Sequence, residues 1–431
     1  MAHQAHVLPW HTIADHFRFV YANKQSNGRT NLYPTFKPGQ GKQLQQFAQD
    51  FATLINHAST QERRRYPEHL LPPTEDELFI PDTTAKHVAK TVASYKLPDN
   101  PSTRQDERAQ VLKDEERKLR YWLLHLFEVL YHDYEYPTEI RECVELLKTL
   151  VVHGEVEPLL RLVSHPDINL AAIWSFPHIP LSNKCREFGW ADVKNCTLMS
   201  YLCFNMFLVK PELWDPVARM YDYRRTSAYQ KMLSHCTSTR WNDNYDVCTH
   251  PHRLFLGIEK GMIAMPSWSH LAKERMGMGP PSSFIDARYR SWYVPTAADV
   301  SYMLSVLRTK LPTELALSIL EAADYIPKRQ VPVPNDPLHA DNAEELKKYM
   351  DSCWDILVRV DMLLKANGKW IDWEYEVTEV MFELWGVDPP RTSDGHREMS
   401  EVLTVHEWAK RTDCRKEGEV DGWRKMRRVF M

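Results

Sequence analysis

Five side chains able to bind a transition metal lie in one stretch, HCTSTRWNDNYDVCTHPH: His235, Cys236, Cys248, His250 and His252. His250 and His252 alternate and can face one ion, with two thiolates completing a tetrahedral set. Common zinc modules, however, present their ligands as close C-x-x-C or H-x-x-x-H pairs. The stretch therefore reads as a polar loop with buried cysteines, and no metal is expected. His125, Glu128 and His132 share a helical face, yet diiron bundles use Glu-x-x-His, and here Glu128 and His132 are four apart. They read as the polar flank of a Leu/Trp stripe. Asp372, Glu376, Glu379 and Glu383 repeat at helical spacing, which predicts a hydrated outer face rather than a catalytic carboxylate pair. The remaining concentration of chemistry is in residues 221–293, where Tyr221, Arg224, Trp241, His250, His252, Arg288 and Trp292 combine aromatic area with cationic and imidazole groups. Such a mixture suits a small-molecule pocket, although core aromatics under an irregular loop are the more ordinary reading.

No nucleotide or hydrolase signature accompanies these residues. Gly39-Gln-Gly41-Lys42 lacks the first P-loop glycine and the Ser/Thr that meets magnesium, so it reads as a turn. G-x-S-x-G, G-x-G-x-x-G, H-E-x-x-H and D-D-x-x-D are absent. No catalytic residue and no cofactor is therefore expected. A formal net charge of -4 gives no electrostatic reason for a nucleic-acid or membrane partner. The basic stretch 410–428 is interrupted by Asp413, Glu417, Glu419 and Asp421, as on a solvated helix face. The first residues lack a basic segment followed by an apolar one, and the longest apolar run, 201–209, is broken by Asn205. Eight cysteines without a C-x-x-C pair predict reduced, mostly buried thiols. These features predict a soluble, cytoplasmic protein, with the nucleus as the alternative compartment.

The elements that must position these groups are helices. Glycine is scarce at 14 residues while proline reaches 28, a balance that favours helices joined by proline-punctuated loops. Periodicity predicts helices over 43–55, 84–95, 105–134, 137–153, 191–209, 211–233, 251–264 and 297–309. In the long one, Leu119, Trp122, Leu123, Leu126 and Leu130 form the buried stripe, and Asp114/Lys118 and Glu116/Arg120 form i,i+4 pairs on the wet side. Gly154 ends the next, whose apolar face is Ile140, Val144, Leu147 and Val151. The following helix, glycine turn, helix and His-Pro-Asp order is similar to one armadillo-type unit, but no second copy follows at that period. No segment predicts a strand. The fold class is mainly α: an irregular multi-helix bundle with proline-rich connectors and no substantial sheet. The glycine and paired prolines of 276–295 predict a boundary, giving an N-terminal helical domain at 1–290 and a C-terminal one at 291–431.

The C-terminal unit carries the best specified segment, 311–368. Pro312 opens a helix with Leu315, Ile319, Leu320 and Ala323 on one face, and Pro327, Pro332, Pro334 and Pro337 stiffen a connector. Asn342, with Glu345 three residues on, predicts an N-cap for a second helix. Its stripe is Leu346, Met350, Cys353, Leu357, Val360 and Leu364, and it ends at Gly368. The opening Leu311-Pro312-Thr313-Glu314-Leu315, with Ile319-Leu320 and the later Cys353-Trp354, resembles an F-box, although a proline connector stands where that motif has its middle helix. The resemblance implies a protein-interaction surface of Leu311, Pro312, Leu315, Ile319 and Leu320, docking on a cullin ubiquitin ligase adaptor. The wider segment, with DPLHADNAEELKKYMDSCW and LVRVDMLLKANG, is similar to a group of uncharacterised filamentous-fungal proteins sharing LPxEL, DPLH and a Cys-Trp helix. The leading expectation is a protein-interaction or adaptor protein without catalytic chemistry. The alternative is an enzyme or small-molecule-binding protein of a fungal metabolic pathway, using the aromatic and arginine residues of 221–293.

Overall fold

Helical periodicity governs nearly every element of the structure, a computed structural model that describes residues 7–20, 31–34, 41–74, 76–96, 105–130, 138–174, 189–209, 222–237, 247–258, 295, 297–323, 325, 331–333 and 336–385. In chain order the helices are α1 (Trp10–Ala14), α2 (Gly41–Arg63), α3 (Asp82–Lys96), α4 (Gln105–Leu130), α5 (Thr138–His153), α6 (Glu157–Val163) and α7 (Ala191–Leu208). They continue with α8 (Ser227–Thr237), α9 (His250–Leu256), α10 (Ala297–Arg308), α11 (Thr313–Ala322), α12 (Ala343–Ala366) and α13 (Trp373–Trp385). The class is predominantly α, as the periodicity predicts. One element was not foreseen: β1 (Phe17–Val20) pairs antiparallel with β2 (Asn31–Pro34), Phe17 facing Pro34 and Val20 facing Asn31. Each strand has four residues, too few for a period of two to stand out.

The centre is α7, buried almost all round from Ala191 to Phe207, with α8, α12 and α13 packed about it and α2 laid against α12 and α13. The predicted stripe of α12 is buried at every position, as are Trp373, Val377, Val380 and Leu384 of α13. Aromatic rings lock the layers together edge to face: Trp10 on Phe47 at 4.8 Å and Phe51 on Trp354 at 5.8 Å between centroids. A buried carboxylate then ties three helices. Asp361 of α12 accepts from Ser59 of α2 at 2.5 Å and Trp373 of α13 at 2.8 Å, and pairs with Lys365 at 2.6 Å. Asn31 of β2 likewise bridges the sheet to the core. Its side chain donates to the Leu384 carbonyl at 3.0 Å and accepts from the Ala228 amide at 3.2 Å.

Several local expectations change on packing. Thr74, Glu77 and Ile80 lie over the face of α4 expected to be wet. Glu115 and Glu116 are buried, Glu116 accepts from the Ile80 amide at 3.0 Å, Lys118 pairs with Glu142 at 3.1 Å, and Arg120 donates to the carbonyls of Thr74 and Glu77. Asn342 stands at the N-cap of α12 as expected, but its side chain makes no cap bond: it binds Val333 through both groups and the Asp336 carbonyl, folding the proline connector back on itself. The carboxylates of α13 are not a hydrated row. Asp372 caps the helix by accepting from the Tyr375 amide, and Glu376 pairs at 2.5 Å with the buried Lys194. Burial raises the Asp372 carboxyl above its usual range. Of the helix expected over 211–233, the described residues show α8 from Ser227, preceded by a 3-10 turn at Tyr223–Arg225 capped by Asp222. The helix expected over 251–264 starts at His250 and stops at Gly257, whose φ of 66° is left-handed. Residues 210–221 and 259–264 lie outside the described residues, as do the side chains of His125, Glu128, Leu126, Leu130 and Ile140 and the whole of His132. No helix among the described residues is long and apolar enough to cross a membrane.

Two glycines with positive φ make a controlled comparison. At Gly154 (φ 81°) a Cβ would come within 3.0 Å of the Arg359 guanidinium, whereas at Gly368 (φ 68°) it would meet nothing. Gly368→Ala is expected to cost about 1 kcal/mol and Gly154→Ala about 2 kcal/mol in urea unfolding. The difference should vanish in an Arg359→Ala background. Removing the Asp361 hub leaves a lysine, a hydroxyl and an indole N–H without their shared acceptor, so Asp361→Ala should lower unfolding stability by about 3 kcal/mol.

Candidate functional site

The described residues whose chemistry converges are His87, His153, Glu155 and His250, contributed by α3, α5 and α9. Their placement begins in α5, which is buried around its whole circumference from Glu142 to Leu150. Within it Lys148 and Glu145 form a buried ion pair at 2.8 Å. Burial pulls the Lys148 ammonium down, but Glu145, Cys248 and Asp192 together outweigh it, and the net shift is upward. The second Glu145 oxygen accepts from the Val247 amide at 3.0 Å, anchoring the 3-10 turn Val247–Thr249 that delivers His250 as the first residue of α9. At the other end, α5 closes on His153 and turns at Gly154, where Arg359 of α12 donates to the Val151 carbonyl at 3.4 Å. Glu155 follows, its amide bonded to the Leu150 carbonyl at 2.8 Å.

Across from this turn, α3 presents Thr84, His87 and Thr91 on one face, three and four residues apart. Glu155 accepts from the Thr84 hydroxyl at 2.6 Å and binds His87 Nδ1 at 2.7 Å. Burial acts to raise the Glu155 carboxyl, but the His87 and Thr84 hydrogen bonds bring it below its ordinary value. An ionised carboxylate only accepts, so His87 Nδ1 carries the proton and, in neutral imidazole, Nε2 holds the lone pair. The His87 side chain is 55% exposed. His153 stands edge-on to it at 5.1 Å between ring centroids and shares a 2.9 Å hydrogen bond with Thr91 through Nε2. His250 lies 6.2 Å beyond His153. Burial, with the neighbouring His87 and Arg359 acting the same way and Glu155 opposing, lowers His153 to about 4; burial, then Arg253, His153 and Lys90, lowers His250 to about 4. At neutral pH the site thus holds a carboxylate-oriented imidazole beside two uncharged ones. As they stand, among the described residues no group of three or more His, Cys, Asp and Glu is placed to hold a metal ion. The arrangement suits proton transfer.

The residues singled out from sequence disperse. His250 joins the histidine cluster, while His252 points into the core, where Nδ1 bonds the Tyr349 hydroxyl at 2.6 Å. Cys236 donates to the Cys196 carbonyl and accepts from Ser200, which also lies 3.4 Å from His252 Nδ1, and Cys248 is buried; of the five residues around 235–252, Cys236 and His252 thus meet at one hydroxyl while His250 faces His153. Arg224 is held by Asp222 at 2.9 Å. Tyr221, Trp241, Arg288 and Trp292 lie outside the described residues. Cys143, Cys196, Cys203, Cys236, Cys248 and Cys353 are free and buried. In α11 the expected apolar face splits: Leu320 is buried with Ala316, whereas Leu315 and Ile319 are 54% and 46% exposed. Leu311 is half-buried and Pro312 is exposed at the N-cap. Sequence reading passed over His87, His153 and Glu155. The available signal was a histidine directly before a helix-ending glycine, with Thr84, His87 and Thr91 one helical face apart.

The depressed imidazoles set an acid limit on stability. Unfolded histidine titrates near 6.5 and the folded values of His153 and His250 are about 4, so between these pH values the unfolded chain binds the more protons. Stability from burying them neutral is fully present above pH ~6.5 and is lost as pH falls toward about 4. Thermal unfolding from pH 7 to 4 should show a falling midpoint, with a shallower slope in His153→Gln and His250→Gln.

Comparison with known proteins bears on how this site is read. No curated protein and no solved structure matches the chain. Residues 11–398 match the family described as gramillins biosynthetic cluster protein GRA5, which agrees with the fungal resemblance of the C-terminal segment and carries no support for an F-box. The match takes in the core helices and all four residues of the histidine site, and by it the chain belongs to the GRA5 family of gramillins biosynthetic cluster proteins.

Proposed function

We propose that this chain acts on a small-molecule intermediate of a fungal biosynthetic cluster, by general acid–base chemistry at His87. The family supports the biosynthetic setting, and the observation that carries the chemistry is the 2.7 Å contact between Glu155 and His87 Nδ1. Glu155 fixes the tautomer, so that Nε2 faces outward as the base. When Nε2 takes a proton, the imidazolium charge is stabilised by the carboxylate that Thr84 holds in place. His153, uncharged at neutral pH, adds a polar group beside the developing charge without repelling the cation on His87. A positioned base of this kind contributes about 100- to 10,000-fold to a rate.

The test replaces the chromosomal gene in a producing fungus with His87→Ala or Glu155→Gln and profiles metabolites at matched protein levels. Loss of the cluster product by roughly 100-fold, with one precursor accumulating, is expected for His87→Ala and a smaller loss for Glu155→Gln. Unchanged product in His87→Ala would sink the proposal. A second reading, that the chain is an interaction or adaptor protein, draws on one observation: Leu315, Ile319 and Tyr302 are exposed on the α10–α11 hairpin. In that reading an F-box-like contact with a cullin ligase adaptor would use Leu315 and Ile319.

A further inference from the structure

Arg359 of α12 reaches the edge of the histidine site with its donors scarcely used. Its shortest polar contact is the 3.4 Å hydrogen bond to the Val151 carbonyl, and its ion pair with Asp355 is 3.7 Å long, to a side chain 59% exposed. A helix-surface pair of that length contributes little. Other half-buried guanidiniums of the described fold are gripped: Arg161 by Glu77 at 2.8 and 3.0 Å, Arg224 by Asp222 at 2.9 and 3.1 Å, Arg63 by the Pro67 carbonyl at 2.8 Å. With its side chain 21% exposed, Arg359 has given up much of its water without gaining a protein partner of that quality. Its orientation is set by the turn beneath it. A Cβ at Gly154 would lie 3.0 Å from both Cζ and Nη2 of Arg359 and 3.3 Å from Nη1. Near-equal distances to the central carbon and its nitrogens put that point over the flat face of the group, so the guanidinium lies face-down on the turn between His153 and Glu155. Its five N–H bonds lie in the plane. They therefore run along the surface of the turn, where Val151 accepts one.

The surroundings say what such an edge would hold. The Arg359 charge acts on His153, whose ring is 5.1 Å from that of His87. Glu155, the carboxylate that follows the turn, is committed to His87 at 2.7 Å and Thr84 at 2.6 Å and so does not serve Arg359. A guanidinium edge with two parallel N–H donors is complementary to the two oxygens of a carboxylate. One positive charge on the turn matches that single negative charge, whereas a phosphate dianion calls for a second cation. We propose that the reactant of the histidine site is a carboxylic acid lying across the Gly154 turn, its carboxylate held by the edge of Arg359 while His87 Nε2 takes a proton from another part of the same molecule. The proton transfer rests on the acid–base reading; the anion site rests on the geometry of Arg359 alone.

Nuclear magnetic resonance of the full chain carrying isotope-labelled histidine tests the anion site without turnover. Sodium acetate is titrated against sodium chloride at constant ionic strength, and sodium phosphate in the same way. The His153 ring signal, assigned by its disappearance in His153→Gln, should shift and saturate with acetate but not with chloride or phosphate. Arg359→Gln should raise the acetate dissociation constant at least about 10-fold, and Arg359→Lys, which keeps the charge without the fork, should fall between. Gly154→Ala should weaken acetate by lifting the guanidinium off the turn, whereas Gly368→Ala should leave it unchanged. Arg359→Lys and Gly154→Ala decide the point if Arg359→Gln does not fold. His87→Ala should still bind acetate, so loss of the base and loss of the anion site are separate results. No saturable shift in the wild type, or one indifferent to Arg359→Gln, overturns the proposal. Saturation by phosphate and not by acetate overturns the carboxylate. In the producing fungus, unchanged product in Arg359→Gln removes Arg359 from the reaction and overturns it as well.

Discussion

A charged lysine enclosed in a helix with no wet side must be neutralised from within, and that constraint organises the histidine site. Lys148 and Glu145 are one turn apart on α5, so the ion pair is local and needs no long-range accident to form. Its consequence is long-range. With one carboxylate oxygen committed to Lys148, the other accepts from the Val247 amide and fixes the turn from which α9 begins. His250 reaches His153 because a buried charge in the middle of α5 required a second donor, and the chain 102 residues away supplied it.

The same economy recurs at Asp361. A carboxylate between α2, α12 and α13 would be costly alone; Ser59, Lys365 and Trp373 make it a point of attachment for three helices. Around these polar knots the aromatic contacts of Trp10, Phe47, Phe51, Tyr201 and Trp354 fill the volume. The histidine site sits at the edge of this frame, at the end of α5. There Arg359 closes over Gly154 from one side and α3 supplies Thr84 and Thr91 from the other. His153 and His250 are buried enough to stay neutral, while His87 remains open to a reactant.

Two kinds of feature were legible before folding was considered. Long amphipathic stripes were, as in α12, where six residues read as apolar at helical spacing are all buried. Helix ends at Gly154 and Gly368 were, because positive φ leaves few alternatives to glycine. Polar residues were misread for a consistent reason. Asn342, Glu116 and Glu376 each have a plausible local role, as cap, wet-side partner or hydrated face. Each is instead bound by a group distant in sequence or by a folded-back connector: Val333 and Asp336, the Ile80 amide, and Lys194. Gly257 was passed over as a stop because the apolar pattern runs on past it.

What the amino-acid order decided alone is where the chain coils and which stripe of each helix avoids water, because both depend on neighbours three or four residues away. Packing alone decided which polar groups meet. His87, His153 and His250 belong to three helices, and their approach depends on a buried ion pair, a left-handed glycine and a threonine face lining up in space. No local pattern encodes that coincidence, since a histidine's spacing along the chain says nothing of which imidazole will lie beside it.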